Sequence, residues 1–418
     1  MILNKSIILL ILHFITLSFA NKIYKKQNKN NDEFVIQLKP GNDSCIQFLN
    51  KYYTSNSLAK SNQLLNDLKY KELKNFQKGN FIKPNSNELQ SISFTDYYQL
   101  KKPNLLPDLN LIYGKFPQEV LAQMYEDPLI LAISLNREFQ LATNQEEEEE
   151  EQSFSSNSVV TLDDLSPFSN SKGGIGVDIY LYDTGIFPNQ DHFDSRLHKI
   201  LDYSSIRKKS NKNNSFSKQQ HDHGTNLAAV IGSSQFGIAK KSNLYDMKLS
   251  NGGTTNLFTL LMALKQGYLH SRTTGRPSIF VIPWVAKKSH VLENVLSLMQ
   301  NESLNTNHKK TFLTIVVPGG NSPGTSACLY SPAGTSKVIT AGALVSKSKI
   351  IKNENGANLD KNDIAHFSAI GECIDYYAPG YKVNTLCYDS NYNKLKGCEK
   401  SGTSVSAAII AGYLALDM

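Results

Sequence analysis

Hydrophobic and polar positions divide the chain into two differently patterned stretches. In the first, Glu33-Phe34-Val35-Ile36-Gln37-Leu38 predicts a strand. Pro117 to Tyr125 predicts an amphipathic helix: Phe116, Val120, Leu121 and Met124 supply its apolar positions. Leu129 to Leu135 predicts a second strand, so residues 33–140 read as a small strand–helix–strand module. From about residue 174 the pattern becomes alternating. Strands are expected at Val177 to Tyr182, Leu244 to Leu249, Ile279 to Ile282, Phe312 to Val317 and Val338 to Leu344. Helices are expected at Asn226 to Val230, Leu257 to Leu269, Val291 to Met299 and Val405 to Leu416. Strand–helix alternation predicts an α/β fold with a mainly parallel sheet covered on both faces.

The two stretches are separated by Glu146 to Glu151 and the serine-rich run Ser153 to Ser158. Consecutive like charges repel and bury no core, which predicts a disordered, protease-accessible linker over residues 146–165. At the start, Lys5 precedes an apolar run from Ile7 to Phe19, and Ser18-Phe19-Ala20 places small residues where a signal peptidase reads. The run is interrupted by His13 and Thr16 and is short for a membrane span. The expected organisation is therefore a signal peptide at 1–20, an N-terminal module at 21–145, the linker at 146–165 and a main domain at 166–418.

Composition narrows the function. Of 418 residues, 40% are hydrophobic, enough for a sizeable core. The net charge of +7 is spread along the chain with no nucleic-acid motif, so no nucleic-acid partner is expected. No stretch after the leader is long enough to span a membrane, so no membrane partner is expected either. Five cysteines suit an oxidising compartment: Cys45, Cys328, Cys373, Cys387 and Cys398. The last four allow three pairings, and Cys387–Cys398, which bracket a hairpin, is the favoured one. Sequons at Asn42, Asn213 and Asn301 are candidate glycan sites.

Three short segments carry the chemistry. Asp183-Thr184-Gly185 follows an expected strand, His223-Gly224-Thr225 opens a helix, and Gly402-Thr403-Ser404 opens the last helix. A serine hydroxyl becomes a useful nucleophile when a histidine takes its proton and a carboxylate fixes that histidine's tautomer. The order Asp, His, Ser excludes an α/β-hydrolase esterase, whose serine comes first within Gly-x-Ser-x-Gly. These segments, with Gly176 to Ile186, Phe236-Gly237-Ile238-Ala239-Lys240-Lys241-Ser242-Asn243-Leu244, Tyr330-Ser331-Pro332-Ala333 and Ala378-Pro379-Gly380, resemble the subtilase family in its proteinase K and cerevisin branch. The resemblance covers roughly residues 160 to 418.

The resemblance implies a three-layer subtilisin-like fold and a secreted or secretory-pathway serine endopeptidase with Asp183, His223 and Ser404 as its triad. Asn321, in Gly319-Gly320-Asn321, matches the family's oxyanion donor, with the Ser404 backbone N–H as its companion. The cleft is expected to be lined by Gly252, Gly253, Trp284, Val285, Ala286, Gly319 and Gly320. Residues 33–135 resemble the family's inhibitor-like propeptide, so the expected partners are polypeptide substrates and the chain's own propeptide. That propeptide would end in the active site near Phe139, with self-cleavage inside 146–165. No cofactor is expected and no metal ligands are placed; some relatives bind structural calcium, and that option stays open here with its ligands unassigned. The compartment is the extracellular space, a cell or spore wall, or the vacuole.

Departures from the family are concentrated in four places. Val405-Ser406-Ala407-Ala408 stands where Met-Ala-Thr-Pro is usual after the serine, and Asn226 stands where a second histidine is usual. Val281-Ile282-Pro283-Trp284-Val285-Ala286-Lys287 stands where the substrate strand carries Asn-x-Ser-x-Gly, so Lys287 and its neighbours are expected to narrow that wall. The sequence also ends fourteen residues after Ser404, before elements the family usually has. These departures keep open an alternative: a catalytically impaired relative with a structural or binding role in a wall or lumen.

Overall fold

A computed structural model of the chain describes residues 32–40, 44–52, 110–116, 118–142, 173–203, 222–305, 312–345, 349–353, 362–389 and 394–418. The expected signal peptide, the linker at 146–165 and the sequons at Asn42 and Asn213 lie outside the described residues.

The N-terminal unit comprises β1 (Glu33–Leu38), α1 (Ser44–Tyr52), β2 (Leu111–Lys115), α2 (Gln118–Tyr125) and β3 (Ile130–Leu135), with β4 (Glu138–Leu141) directly after it. β1 lies between β2 and β3 and is antiparallel to both. Side chains alternate across a strand, and β1 uses both faces. Phe34, Ile36 and Leu38 bury with Phe48, Leu121 and Met124 in the unit's own core. Val35 and Gln37 face the main domain: Val35 joins its core, and Gln37 Oε1 accepts from Asn294 at 3.1 Å.

The main domain runs β5 (Asp178–Leu181), β6 (Leu197–Asp202), α3 (Asp222–Gly232), β7 (Asn243–Lys248), β8 (Thr254–Asn256), α4 (Leu257–Thr274), β9 (Ser278–Val281), β10 (Trp284–Lys287) and α5 (His290–Asn305). It continues with β11 (Leu313–Pro318), β12 (Tyr330–Ser331), β13 (Ile339–Leu344), β14 (Ile351–Lys352), β15 (Tyr376–Pro379), β16 (Val383–Asp389), β17 (Lys394–Lys400) and α6 (Thr403–Asp417). The large sheet has the order β14-β15-β13-β11-β9-β5-β7-β6 and is parallel except where β14 meets β15.

Alternation along β5 shows how the layers form. Ile179 and Leu181 pack with α3 and α6 on one face, and Tyr180 and Tyr182 pack with α4 and α5 on the other. Both faces are covered, which is why these strands read as nearly continuous apolar runs. α6 is apolar almost all round because it runs buried along the sheet. The expected three-layer arrangement is the one observed. In open parallel sheets ligands gather at the carboxyl ends of the strands where the strand order reverses. Here β7 follows β5 on one side and β9 on the other.

The expected helix at Asn226 to Val230 starts earlier, at Asp222, which places His223 in its first turn. The N-terminal unit caps two helices of the main domain. Leu257 N donates to Arg137 O at 3.1 Å and Phe258 N to Asn136 Oδ1 at 2.9 Å. Val291 N donates to Ser134 Oγ at 3.3 Å. First-turn N–H groups have no partner within their helix, so this interface satisfies donors that the main domain does not.

Cys387 and Cys398 are bonded across the β16–β17 hairpin, as the spacing suggested, and Cys328 is bonded to Cys373. Asn301 lies within α5, where its side-chain oxygen accepts from Lys337. Among the described residues no helix is long and apolar enough to cross a membrane.

Candidate active site

Asp183 follows β5 at the sheet's carboxyl edge and is fully buried. Its loop is tied down residue by residue. Thr184 N donates to Asp183 Oδ1, Leu249 N donates to Asp183 O, and Phe187 N donates to Thr225 Oγ1 at 2.9 Å. Gly224 N donates to Thr184 Oγ1 at 3.1 Å, joining the loop to α3. Glycine is required at 224, because a Cβ there would stand 2.4 Å from Gly185 O. This close approach lets His223 reach Asp183.

His223 Nδ1 lies 2.8 Å from Asp183 Oδ2 and 3.0 Å from Oδ1. Its Nε2 lies 3.2 Å from Ser404 Oγ. The serine sits in the first turn of α6, 1% exposed, and the histidine side chain is 13% exposed. The histidine thus bridges a buried carboxylate and a helix-terminal hydroxyl. That arrangement can relay a proton from the serine while holding the resulting imidazolium on the carboxylate.

Asn321 follows β11 across the site. Its Oδ1 accepts from Thr403 N at 3.0 Å and Thr403 Oγ1 at 2.8 Å. Thr403 Oγ1 in turn accepts from Gly320 N at 3.2 Å. With the oxygen so held, the amide nitrogen is turned the other way. It is buried and has no hydrogen-bond partner among the described residues. A buried N–H₂ left empty is costly unless a ligand or transition state uses it. Gly402, with φ +150°, marks where the groups converge. A Cβ there would lie 2.8 Å from Ala142 O, 3.3 Å from Ser404 Oγ and 3.4 Å from Asn321 Nδ2.

Ala142 belongs to the end of the N-terminal unit. β4 is inserted between β8 and β10, giving a sheet of order β12-β10-β4-β8. Phe139 pairs with Thr255, Gln140 with Thr254 and Val285, and Leu141 with Trp284. Leu141 N donates to Gly253 O and Ala142 N to Pro283 O, both at 3.1 Å. Main-chain pairing on both edges recognises an extended peptide with little regard to sequence, and the side chains add selectivity. Phe139 is completely buried and Ala142 is 4% exposed.

The structure brings Asp183, His223, Ser404 and Asn321 together, and sets Gly253, Gly320, Val285 and the Trp284 backbone beside the inserted strand. One expected cleft residue is corrected. Gly319 is inside: its N–H donates to Ala341 O, and a Cβ on it would strike Ile374. Gly252 closes its own loop by donating to Ser250 Oγ. Ala286, the next residue of β10, pairs with Ser331 of β12 on that strand's other edge. The wall is not narrowed by Lys287, which is exposed and paired with Tyr330; the residue opposite Gln140 is Val285. The Trp284 ring is fully buried beneath the cleft.

Sequence reasoning missed β4 and Thr403. The alternation of Glu138 and Gln140 with Phe139 and Leu141 was the available signal for β4. Nothing in the sequence distinguishes Thr403 from an ordinary helix-start threonine. Among the described residues no cluster of three or more His, Cys, Asp or Glu side chains is arranged to hold a metal ion.

Residues 174–418 match the Subtilase family. Among curated proteins the chain is similar to a subtilisin-like serine protease of Aspergillus niger, 27% identical over 320 residues, which are 72% of this chain and 53% of that protein. It is also similar to an extracellular serine proteinase of Thermus sp. (strain Rt41A), 25% identical over 306 residues, 72% of this chain and 64% of the relative. The chain therefore spans little more than half to under two thirds of these relatives' lengths. Among solved structures, a cold adapted subtilisin-like serine proteinase superposes with a TM-score of 0.45 at 24% identity, covering 59% of this chain and 77% of the other.

Proposed function

The chain belongs to the subtilase family, and from that premise we propose that it is a serine endopeptidase made as a self-processing precursor. The observation that carries this reading is the continuous line Asp183–His223–Ser404 beside the unpartnered amide of Asn321. Ser404 Oγ attacks the scissile carbonyl while its proton passes to His223 Nε2, and Asp183 keeps the imidazolium in place. The oxyanion forms facing Asn321 Nδ2 and the Ser404 N–H, which lies in the first turn of a helix. Collapse breaks the C–N bond, His223 gives its proton to the departing amine, and a water deprotonated by the same nitrogen hydrolyses the acyl-enzyme.

β4 supports the propeptide reading. It occupies the cleft as a substrate would, with the Ala142 carbonyl at the serine. On this reading the first self-cleavage follows Ala142, slightly ahead of the linker. The preferred substrate is an extended polypeptide with a small residue at the cut and a large apolar residue three positions earlier, as Ala142 and Phe139 are. The two disulfides and the leader-like residues 1–20 support passage through an oxidising secretory compartment.

The test is labelling with a fluorophosphonate probe. Wild type should react and Ser404→Ala should not. Equal labelling of both would exclude Ser404 as the nucleophile. N-terminal sequencing of secreted wild type and Ser404→Ala should show cleavage after Ala142 in the first alone. An uncut, unlabelled wild type would favour the alternative of a non-enzymatic relative.

A further inference from the structure

Asp246 is the buried acid that the mechanism above leaves unused. It lies in β7, beside Leu181 of β5 on one side and Lys199 of β6 on the other. It is 4% exposed. Its Oδ2 accepts from Ile186 N at 3.3 Å, and its Oδ1 is buried with no partner. Ile186 is in the loop that begins with Asp183, three residues on. Among the described residues no cation pairs with Asp246: the Lys199 ammonium is engaged 3.0 Å from Asp202 at the exposed edge. A buried carboxyl with one oxygen left unpartnered is a local departure, and departures of this kind concentrate at functional sites.

Resting on the protease reading above, we propose that Asp246 is a positioning residue which, in its neutral form, holds the Asp183 loop from beneath through the Ile186 amide. The loop's other ties come from Gly224 and Thr225 of α3 and from the Leu249 N–H just after β7, and Asp246 adds a side-chain hold at Ile186. The charged and titratable groups on the surrounding elements are Lys199 and Asp202 on β6, Lys248 on β7, Asp183 after β5, and Asp222 and His223 on α3. Burial raises the Asp246 carboxyl to about 7; the Ile186 N–H, Lys199 and Lys248 oppose this, and Asp202 adds to it. Loss of the proton to solvent leaves an anion with one long hydrogen bond and one unsolvated oxygen. Such a charge is relieved by admitting water, and the first segment to yield is the Asp183 loop above it. The sign follows from linkage. The acid is raised in the folded state, so its stabilising effect is complete at low pH and is lost as pH rises through about 7.

The test compares the full secreted chain with Asp246→Asn, the neutral isostere. Fluorophosphonate labelling of Ser404 and the thermal midpoint are both followed from about pH 5 to about pH 9. Wild-type labelling should fall several-fold on the alkaline side of about pH 7. Asp246→Asn should keep its labelling there, and its midpoint should decline less with rising pH. Superimposable pH profiles of two folded proteins would overturn the proposal. Should Asp246→Asn not fold, Asp246→Ser supplies the same neutral comparison. If wild type labels at no pH, the protease reading fails separately, and the midpoint profiles still decide whether Asp246 senses pH: parallel profiles overturn it.

Discussion

The indole Nε1 of Trp284 donates to the carbonyl of Tyr182 at 2.6 Å. The bond joins the strand that receives the inserted peptide to the residue immediately before Asp183. One buried contact thus joins the strand beside β4 to the loop that carries Asp183. Trp284→Phe keeps most of the ring volume but leaves the Tyr182 carbonyl buried without this donor, at a cost of about 1–3 kcal/mol. Unfolding by denaturant should show that loss. Peptide turnover should show a lower kcat with a smaller change in KM, because the bond aligns Asp183 more than it holds substrate. An unchanged kcat in a folded variant would mean that the contact serves stability alone.

Asn321 and Thr403 act as one device. Asn321→Ala removes an oxyanion donor and should lower kcat by about a hundredfold or more with KM little altered. Thr403→Val should give a smaller loss in the same direction, because Asn321 Oδ1 then keeps the backbone N–H of residue 403 alone. Steady-state kinetics on one peptide separates the two. A Thr403→Val enzyme as slow as Asn321→Ala would show that the threonine contributes more than orientation.

Val285 and Gly320 are expected to flank the side chain of residue 142. Val285 Cγ1 stands 3.7 Å from where a Cβ on Gly320 would lie, across the space next to the Pro283 carbonyl that receives the Ala142 amide. Ala142→Phe should therefore leave the precursor uncut, and adding Val285→Gly should restore cleavage. Gel analysis of the secreted forms reads this directly. Failure of the double variant to recover, with Val285→Gly alone active, would place the steric limit elsewhere.

The N-terminal unit should lose grip when its caps are removed. Ser134→Ala and Asn136→Ala each leave a first-turn N–H of α5 or α4 without its acceptor, worth about 1 kcal/mol. Added in trans to the mature domain, each variant of the released unit should inhibit about fivefold less well. Equal inhibition constants would assign the affinity to β4 and to the stacking of Tyr113 on Phe258 at 4.3 Å.

The Cys387–Cys398 bond sits behind the histidine. Asn226, one turn after His223, donates to Leu386 O at 2.7 Å, and its own carbonyl accepts from Thr385 Oγ1 at 2.6 Å. Asn226 stands where a second histidine is usual in the family, and it ties α3 to the disulfide hairpin. Replacing both cysteines by serine should cost about 3 kcal/mol by loop entropy. Turnover should fall more steeply with temperature than in wild type as the hairpin, and with it α3, loosens. Calorimetry and a temperature series of kcat test the two parts.

The sequence by itself determined the layers and singled out the three residues proposed as the triad. Apolar runs such as Val177 to Tyr182 are long enough to specify strands covered on both faces, and Asp183, His223 and Ser404 each sit in a local context that marks an element's end. The favoured Cys387–Cys398 pairing was legible because its partners share one hairpin. What only tertiary structure decided are relations between segments distant in sequence. β4 has four residues and acquires a strand's hydrogen bonds only by lying between β8 and β10. Gly319 and Gly320 are identical in sequence terms, yet Ile374 packs against the first and the cleft opens at the second. Asn321 is expected from the resemblance as an oxyanion donor, but the direction of its amide is set by Thr403, which holds its oxygen and leaves its nitrogen unpartnered. Asp246 reads as one acid in a strand until the sheet closes over it. Local sequence sets backbone preference and the face a residue takes, whereas burial, register and the direction of an amide are set by chain that arrives from elsewhere.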